Sequence, residues 1–326
     1  MVSSAFAPLI GQSQATELLE RAVTQQQVAP AYAFLGPEGV GRSLAATAWA
    51  EQLLAQTLAQ PGAASSLRHR IQQRHHPDLL WVEPTYLHQG RRVSVSEAIE
   101  LGLRRKSSPQ IRLEQVREIA RYLSRPPLEA ERAVVVIEQA ETMAEAAANG
   151  LLKTLEEPGR ATLILIAPDS NALLPTLISR CQQVTFRRLS SHQMQQVLTQ
   201  TGRSEIWQHP EILAIAQGSP GQAIASWQQM QAIPPGLLQT LREPPASLRQ
   251  ALEQAQQIAK TLDVEAQLWL VDFLQHHYWQ AATVRAIPFL QQLEQTRRHL
   301  SGFVQPRLVW EVTLMQLVPS CSLEVF

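Results

Sequence analysis

The stretch Ala31-Tyr-Ala-Phe-Leu-Gly-Pro-Glu-Gly-Val-Gly-Arg-Ser-Leu44 constrains the chain most, because an apolar strand runs directly into a glycine-punctuated turn and then a helix. Gly36, Gly41 and Ser43 stand where the pattern G-x-x-x-x-G-K-[ST] requires them, with Gly39 between. Glycine at such places lets backbone N–H groups close around phosphate oxygens at a helix N-terminus. The lysine of the pattern is absent, and Arg42 takes its place. Lysine works there as a compact point charge, whereas guanidinium is a planar fork, so the charge keeps its sign and loses its geometry. The expectation is a phosphate cradle that retains at most weak nucleotide binding and is poor at hydrolysis. A plain Gly-rich strand-to-helix turn is the alternative.

Around this stretch, apolar runs alternate with helical spacing. Ala133-Val-Val-Val-Ile137 is β-branched and apolar throughout, as a parallel strand covered on both faces requires, and Leu163-Ile-Leu-Ile-Ala167 repeats the pattern. Asp78 to Pro84 holds a shorter run, and Gln183 to Arg187 reads as the last strand. Helical periodicity marks Ile10 to Val28, Leu44 to Leu58, Ile111 to Leu123 and Ala144 to Glu157. Strand and helix in alternation predict an α/β fold, with a five-stranded parallel sheet and helices on both faces. In a P-loop ATPase the strand equivalent to Ala133–Ile137 ends in a metal-organising Asp and a Glu that acts as base. Here Glu138 and Gln139 occupy those places, and an amide has no basic oxygen near neutral pH. The pair reads as the remnant of a phosphate site, or else as a polar strand end.

From Ser190 the pattern is helical. Gln193–Gln200, Glu211–Gln217 and Ala223–Met230 form a small unit, and Pro234-Pro-Gly236 with Pro244-Pro245 read as a linker region. Leu248, Leu252, Ala255, Ala259 and Leu262, then Leu270, Phe273 and Leu274, then Leu308, Val312 and Met315, predict a bundle. Trp269, Tyr278, Trp279 and Trp310 are expected in its core. The boundaries predicted are 1–188 for the α/β domain, 189–232 for a small helical lid and 233–326 for a C-terminal helical collar.

Lys+Arg and Asp+Glu balance at 28 each, so no global cationic field draws the chain onto nucleic acid or a membrane. With 45% apolar residues and no long apolar run, a soluble cytoplasmic protein is expected. His69, His75, His76 and Asp78 are irregularly spaced and read as solvated polar residues, with no metal assigned. Cys181 and Cys321 are too few and too far apart for a zinc module. Thr85 to Pro109, with Arg91-Arg92 and Arg104-Arg105-Lys106, reads as a solvated loop, and contact with nucleic acid is the alternative.

Leu9-Ile-Gly-Gln12, the loop from Gly36 to Ser43, His76-Pro-Asp78, Asn149-Gly-Leu-Leu-Lys-Thr-Leu-Glu-Glu-Pro158, Ser179-Arg-Cys181 and Gly218-Ser-Pro-Gly-Gln-Ala223 together resemble the clamp-loader subunits of the AAA+ superfamily. The bacterial DNA polymerase III loader is the nearest likeness, and it covers nearly the whole length. The resemblance implies a five-membered ring with the gamma/tau motor subunit and delta, which opens the sliding clamp and places it on primed DNA. It implies an ATPase-defective stator whose Arg180, between Ser179 and Cys181, reaches a neighbour's ATP site. A sensing arginine expected after the Gly-Ser motif is missing, since Pro220 and Gly221 stand there. The rivals are an active motor subunit of the same loader and a P-loop transferase. Zinc is not expected, and Thr85 to Pro109 looks like an insertion.

Overall fold

A computed structural model describes residues 4–55, 63–101, 107–280 and 286–318. The backbone divides into two compact units, one built on Met1–Arg104 with Ser108–Val197, the other on Leu198–Phe326. The first holds α1 (Ser13–Thr24), β1 (Ala31–Leu35), α2 (Arg42–Leu54), α3 (Ala63–Gln72), β2 (Leu79–Val82), β3 (Thr85–His88), β4 (Arg91–Ser94) and α4 (Val95–Glu100). It continues through α5 (Leu113–Leu123), β5 (Ala133–Ile137), α6 (Glu145–Glu156), β6 (Ala161–Ala167), α7 (Pro175–Ile178) and β7 (Gln182–Thr185).

Five of these strands form one parallel sheet in the order β2-β5-β6-β1-β7. Every residue of β1, β5 and β6 is buried, which is why these strands read as largely apolar runs, with Thr162 the polar exception in β6. Because side chains alternate along a strand, the sheet supplies two cores. Tyr32, Phe34, Val134, Val136, Ile164 and Ile166 meet Leu19, Trp49, Leu53 and Ile71 from α1, α2 and α3. Ala33, Leu35, Val135, Ile137, Leu163 and Leu165 meet Val116, Ile119, Leu151, Leu155 and Leu177 from α5, α6 and α7. The α/β architecture predicted from the sequence is the one observed.

Three expectations in this unit need correction. Thr85 to Ser94 is an antiparallel hairpin, not a solvated loop, and its two-residue turn at Gln89-Gly90 has positive φ at both positions. That is the geometry whose twist suits a hairpin, usually signalled by Asn-Gly, so Gln at the first position hid it. Arg91 pairs with Glu97 and Arg92 with Glu118. Arg104–Lys106 lie outside the described residues. Next, His76 and Asp78 are not solvated: they are 4% and 2% exposed, whereas His69 and His75 face solvent. Asp78 accepts backbone N–H bonds from Leu128, Glu129 and Ala130 at 2.6–2.8 Å, and His76 Nδ1 accepts from the Asp78 N–H at 3.1 Å. Tyr122 donates its hydroxyl to the carbonyl of Pro77 between them, so His-Pro-Asp is a structural knot. Finally, two helix bounds shift: α1 is shorter than Ile10–Val28 at both ends, and α2 runs Arg42–Leu54, starting two residues earlier than Leu44 and ending before Leu58.

In chain order α8 (Ser191–Gln200) comes next, and the second unit is all helical: α9 (Pro210–Ala216), α10 (Pro220–Ala232), α11 (Pro235–Leu241), α12 (Leu248–Thr261), α13 (Val264–Gln280), α14 (Ala286–Ser301) and α15 (Pro306–Gln316). Pro234-Pro-Gly236 is not a linker but the start of α11, with Pro235 at the first helical position where its missing N–H costs nothing. Trp269, Tyr278 and Trp310 are buried as expected, and the Trp310 indole donates to Gln267 at 2.9 Å. Trp279 is not in the core; it is 71% exposed. Leu248, Leu252, Leu308 and Val312, also expected inside, are 42–55% exposed. The packed faces of α12 and α15 are instead Ala251, Gln254, Ala255 and Ile258, and Val309, Trp310, Thr313 and Leu314. Cys321 lies outside the described residues.

Candidate functional site

The altered phosphate loop sits at the carboxyl end of β1, a strand inside the sheet with β6 on one side and β7 on the other. Ligands of open α/β sheets bind outside the carboxyl ends of the strands, so the fold puts this loop in the expected place. Gly36 is required by close approach: a Cβ there would lie 2.4 Å from the carbonyl oxygen of Phe186. Gly41, at φ +108°, is the residue before α2 and, as a glycine, has no side chain to cap that helix. Leading N–H groups at such a helix start are the kind that bind an anion.

Gln12, from the Leu9-Ile-Gly-Gln12 motif, ties the loop down. Its amide donates to the carbonyls of Val40 at 3.2 Å and Arg187 at 2.7 Å, and accepts from the Arg187 N–H at 3.0 Å. Sequence reasoning used Gln12 only as a family marker; its near-complete burial is the signal of a structural role.

Around Arg42 the structure gathers carboxylates. Glu141, Glu38 and Glu138 all lie within electrostatic reach of the guanidinium, and Arg42 Nη1 is buried with no hydrogen-bond partner among the described residues. Burial lowers the Arg42 pKa, with the three carboxylates acting in the opposite sense, yet a guanidinium stays charged. Ser43 donates to Glu138, whose carboxyl is pushed up by burial against the pull of Ser43, Arg74 and Arg42. Burial likewise pushes up the carboxyl of Glu141, a residue the sequence pattern did not single out. So Gly36, Gly39, Gly41, Arg42, Ser43 and Glu138 do converge. Gln139 is exposed, in a left-handed conformation at φ +47°, and starts a short helical turn.

A phosphate fits this arrangement: the glycines leave backbone room and Arg42 Nη1 is an unused buried donor. At the place of the base, Gln139 is an amide with no basic oxygen. Among the described residues no three His, Cys, Asp or Glu side chains come together as a metal site, and no helix is long and apolar enough to cross a membrane.

Arg180 is elsewhere. It follows α7 and precedes β7, whose Gln182 pairs with Tyr32 at the start of β1, while the phosphate loop follows the end of β1. Five strand residues at about 3.3 Å each put the two roughly 15 Å apart along the strand direction. The guanidinium is partly exposed, donating from Nη1 to the Thr176 carbonyl at 3.0 Å and from Nη2 to Glu156 Oε1 at 2.8 Å. Ser179 donates to the Thr176 carbonyl at 3.1 Å, and Cys181 is a half-buried thiol pushed up to about 11 by burial. These three residues form their own locus, with no part in the loop.

Comparison with known proteins decides the relationship. The family model described as DNA polymerase III, delta subunit matches residues 11–190. The chain belongs to the DNA polymerase III delta-subunit family. Residues 192–317 match a second model, for the cyanobacterial DNA polymerase III delta-prime C-terminal domain. The delta-prime subunit of Pseudomonas aeruginosa is 36% identical over 160 residues, covering 48% of this chain and 43% of that one. The delta-prime subunit of Bacillus subtilis is 31% identical over 180 residues, covering 55% and 48%. The chain thus spans somewhat under half the length of these curated relatives. In fold, a DNA polymerase III gamma-subunit-related protein from Thermotoga maritima superposes with a TM-score of 0.56 at 17% identity, covering 93% of this chain and 98% of that one. The family reading made from Asn149–Pro158 and Ser179–Cys181 is therefore upheld.

Proposed function

We propose that this delta-family chain is a clamp-loader subunit without its own ATPase, a stator that offers Arg180 to the ATP site of a neighbouring motor subunit. The carrying observation is the placement of Arg180 at the end of the strands opposite the chain's own phosphate loop. A guanidinium there lies away from its own site, which supports service to a site on another molecule over a purely structural pair with Glu156. Presented in trans, it stabilises charge spreading over terminal phosphate oxygens. The partners on this reading are gamma/tau and delta in a five-membered cytoplasmic ring, with the sliding clamp and primer-template DNA met through the complex. Any ATP or ADP at Gly36–Ser43 is held by the backbone cradle and Arg42, without turnover.

The isolated protein should hydrolyse ATP no faster than buffer, because Gln139 is no base and the planar fork of Arg42 misplaces the loop charge. A malachite-green phosphate assay measures this. A partner-free turnover that disappears on Arg42→Ala would restore the motor-subunit reading.

Beyond the sheet we assign 189–232 to a lid and 233–326 to a collar that holds the ring. The outward apolar pairs Leu248 with Leu252 and Leu308 with Val312 support the collar, since residues four apart share a helix face and these faces are left open. Leu308→Ser with Val312→Ser should weaken assembly with partner subunits about tenfold and leave the thermal midpoint of the isolated protein within a few degrees. Sedimentation of mixtures with gamma/tau and delta reads this; unchanged affinity would remove the collar assignment.

A further inference from the structure

We propose that Glu156 is the positioning residue of Arg180, holding the guanidinium in the orientation it presents. The inference rests on the reading of Arg180 as a finger acting in trans. Glu156 is the last residue of α6, and its Oε1 takes Nη2 of Arg180 at 2.8 Å, while the Thr176 carbonyl takes Nη1 at 3.0 Å. One partner comes from α6 and the other from the backbone of α7, so the plane of the guanidinium is fixed from two elements. Each bond uses a single N–H, and the fork keeps donors for an incoming phosphate oxygen.

A long arginine side chain otherwise samples many rotamers, and docking it on a partner would cost that freedom at the moment of contact. A tether already made in the free subunit removes part of that cost and sets the angle of approach, which is how preorganisation raises effectiveness without new contacts. The pair is well placed to act as a light restraint. With side chains 38% and 53% exposed, it is solvent-screened and weak enough to yield by small adjustments. Glu156 lies inside the stretch Asn149–Pro158, and the tether gives that stretch a role beyond closing a helix.

The test is steady-state ATPase of the loader reassembled with gamma/tau, delta, clamp and primed DNA. Glu156→Ala should lower the rate about threefold, on the order of what an exposed ion pair supplies. Glu156→Gln, which keeps an Oε1 acceptor, should recover most of the rate. In an Arg180→Ala loader, Glu156→Ala should change nothing further, because the group it positions is gone. Co-elution with the partners should be unchanged in all of these. A loss from Glu156→Ala that persists in the Arg180→Ala background would mean a structural role only, and overturns the inference. A normal or raised rate for Glu156→Ala, beside a slowed Arg180→Ala loader, overturns it while leaving the finger standing. A normal rate for Arg180→Ala removes the finger and this inference together.

Discussion

Replacing Arg180 by alanine is expected to slow ATP hydrolysis by the assembled loader while leaving this subunit folded and bound. The stability side is small, because the pair with Glu156 is exposed at both partners and such pairs contribute about 0–1 kcal/mol. The catalytic side is large: a finger supplied in trans stabilises the transition state by on the order of 10³-fold or more at the site it serves. The measured rate should fall by less than that, since other subunits keep their own fingers. Lysine at 180 should restore little, because one ammonium cannot reproduce a planar fork. The position of Arg180 sharpens the expectation. At the end of the strands remote from Gly36–Ser43, its loss has no route to the chain's own loop, so nucleotide binding by the isolated subunit should be untouched. Steady-state ATPase with clamp and primed DNA is the measurement. An Arg180→Ala complex that assembles fully and turns over normally would end the finger reading.

Much of the α/β unit was legible because its physics is local. A strand buried on both faces is apolar almost throughout, as Ala133–Ile137 and Leu163–Ala167 are. The glycine loop was legible because backbone approach excludes a side chain, as the 2.4 Å contact at Gly36 confirms. What escaped depends on contacts distant in sequence. Periodicity reports that Leu308 and Val312 share a face, not whether that face is covered. Trp310 and Thr313 on the neighbouring face took the interior instead, one through its indole bond to Gln267 and the other through a 2.6 Å bond to Thr296. Glu141 was invisible as a neighbour of Arg42, since only the fold brings it there, 99 residues on in the chain. The pair Arg180–Glu156 spans 24 residues and two helices, and no spacing rule announces it.

Asp78→Ala should be among the most destabilising single changes in the α/β unit. The carboxylate is 2% exposed and is the shared acceptor for the N–H groups of Leu128, Glu129 and Ala130, so its removal strands three donors at once. The stretch they belong to is itself partly exposed, and water will recover some of the loss. The net cost should be about 3 kcal/mol, or on the order of 10 °C in the melting midpoint for a unit of this size. The same knot makes the unit acid-sensitive. Burial alone would raise the Asp78 pKa, but the three backbone donors, with His76, outweigh it and hold the carboxyl below its ordinary value. His76 is lowered too, first by burial and then by Arg70. Both groups therefore bind fewer protons folded than unfolded, so each supports stability at neutral pH and gives it up as pH falls. His76 begins to do so below about 6.5 and Asp78 below about 4. Protonating His76 would also turn its Nδ1 from acceptor to donor against the Asp78 N–H. Asp78→Asn should flatten the part of the stability–pH curve below about 4 and leave the part near 6 in place. Urea unfolding followed across pH 3 to 8 measures both limbs. A wild-type stability that is level from pH 7 to pH 4, or an Asp78→Ala protein that melts with wild type, would show that the knot does not hold the fold.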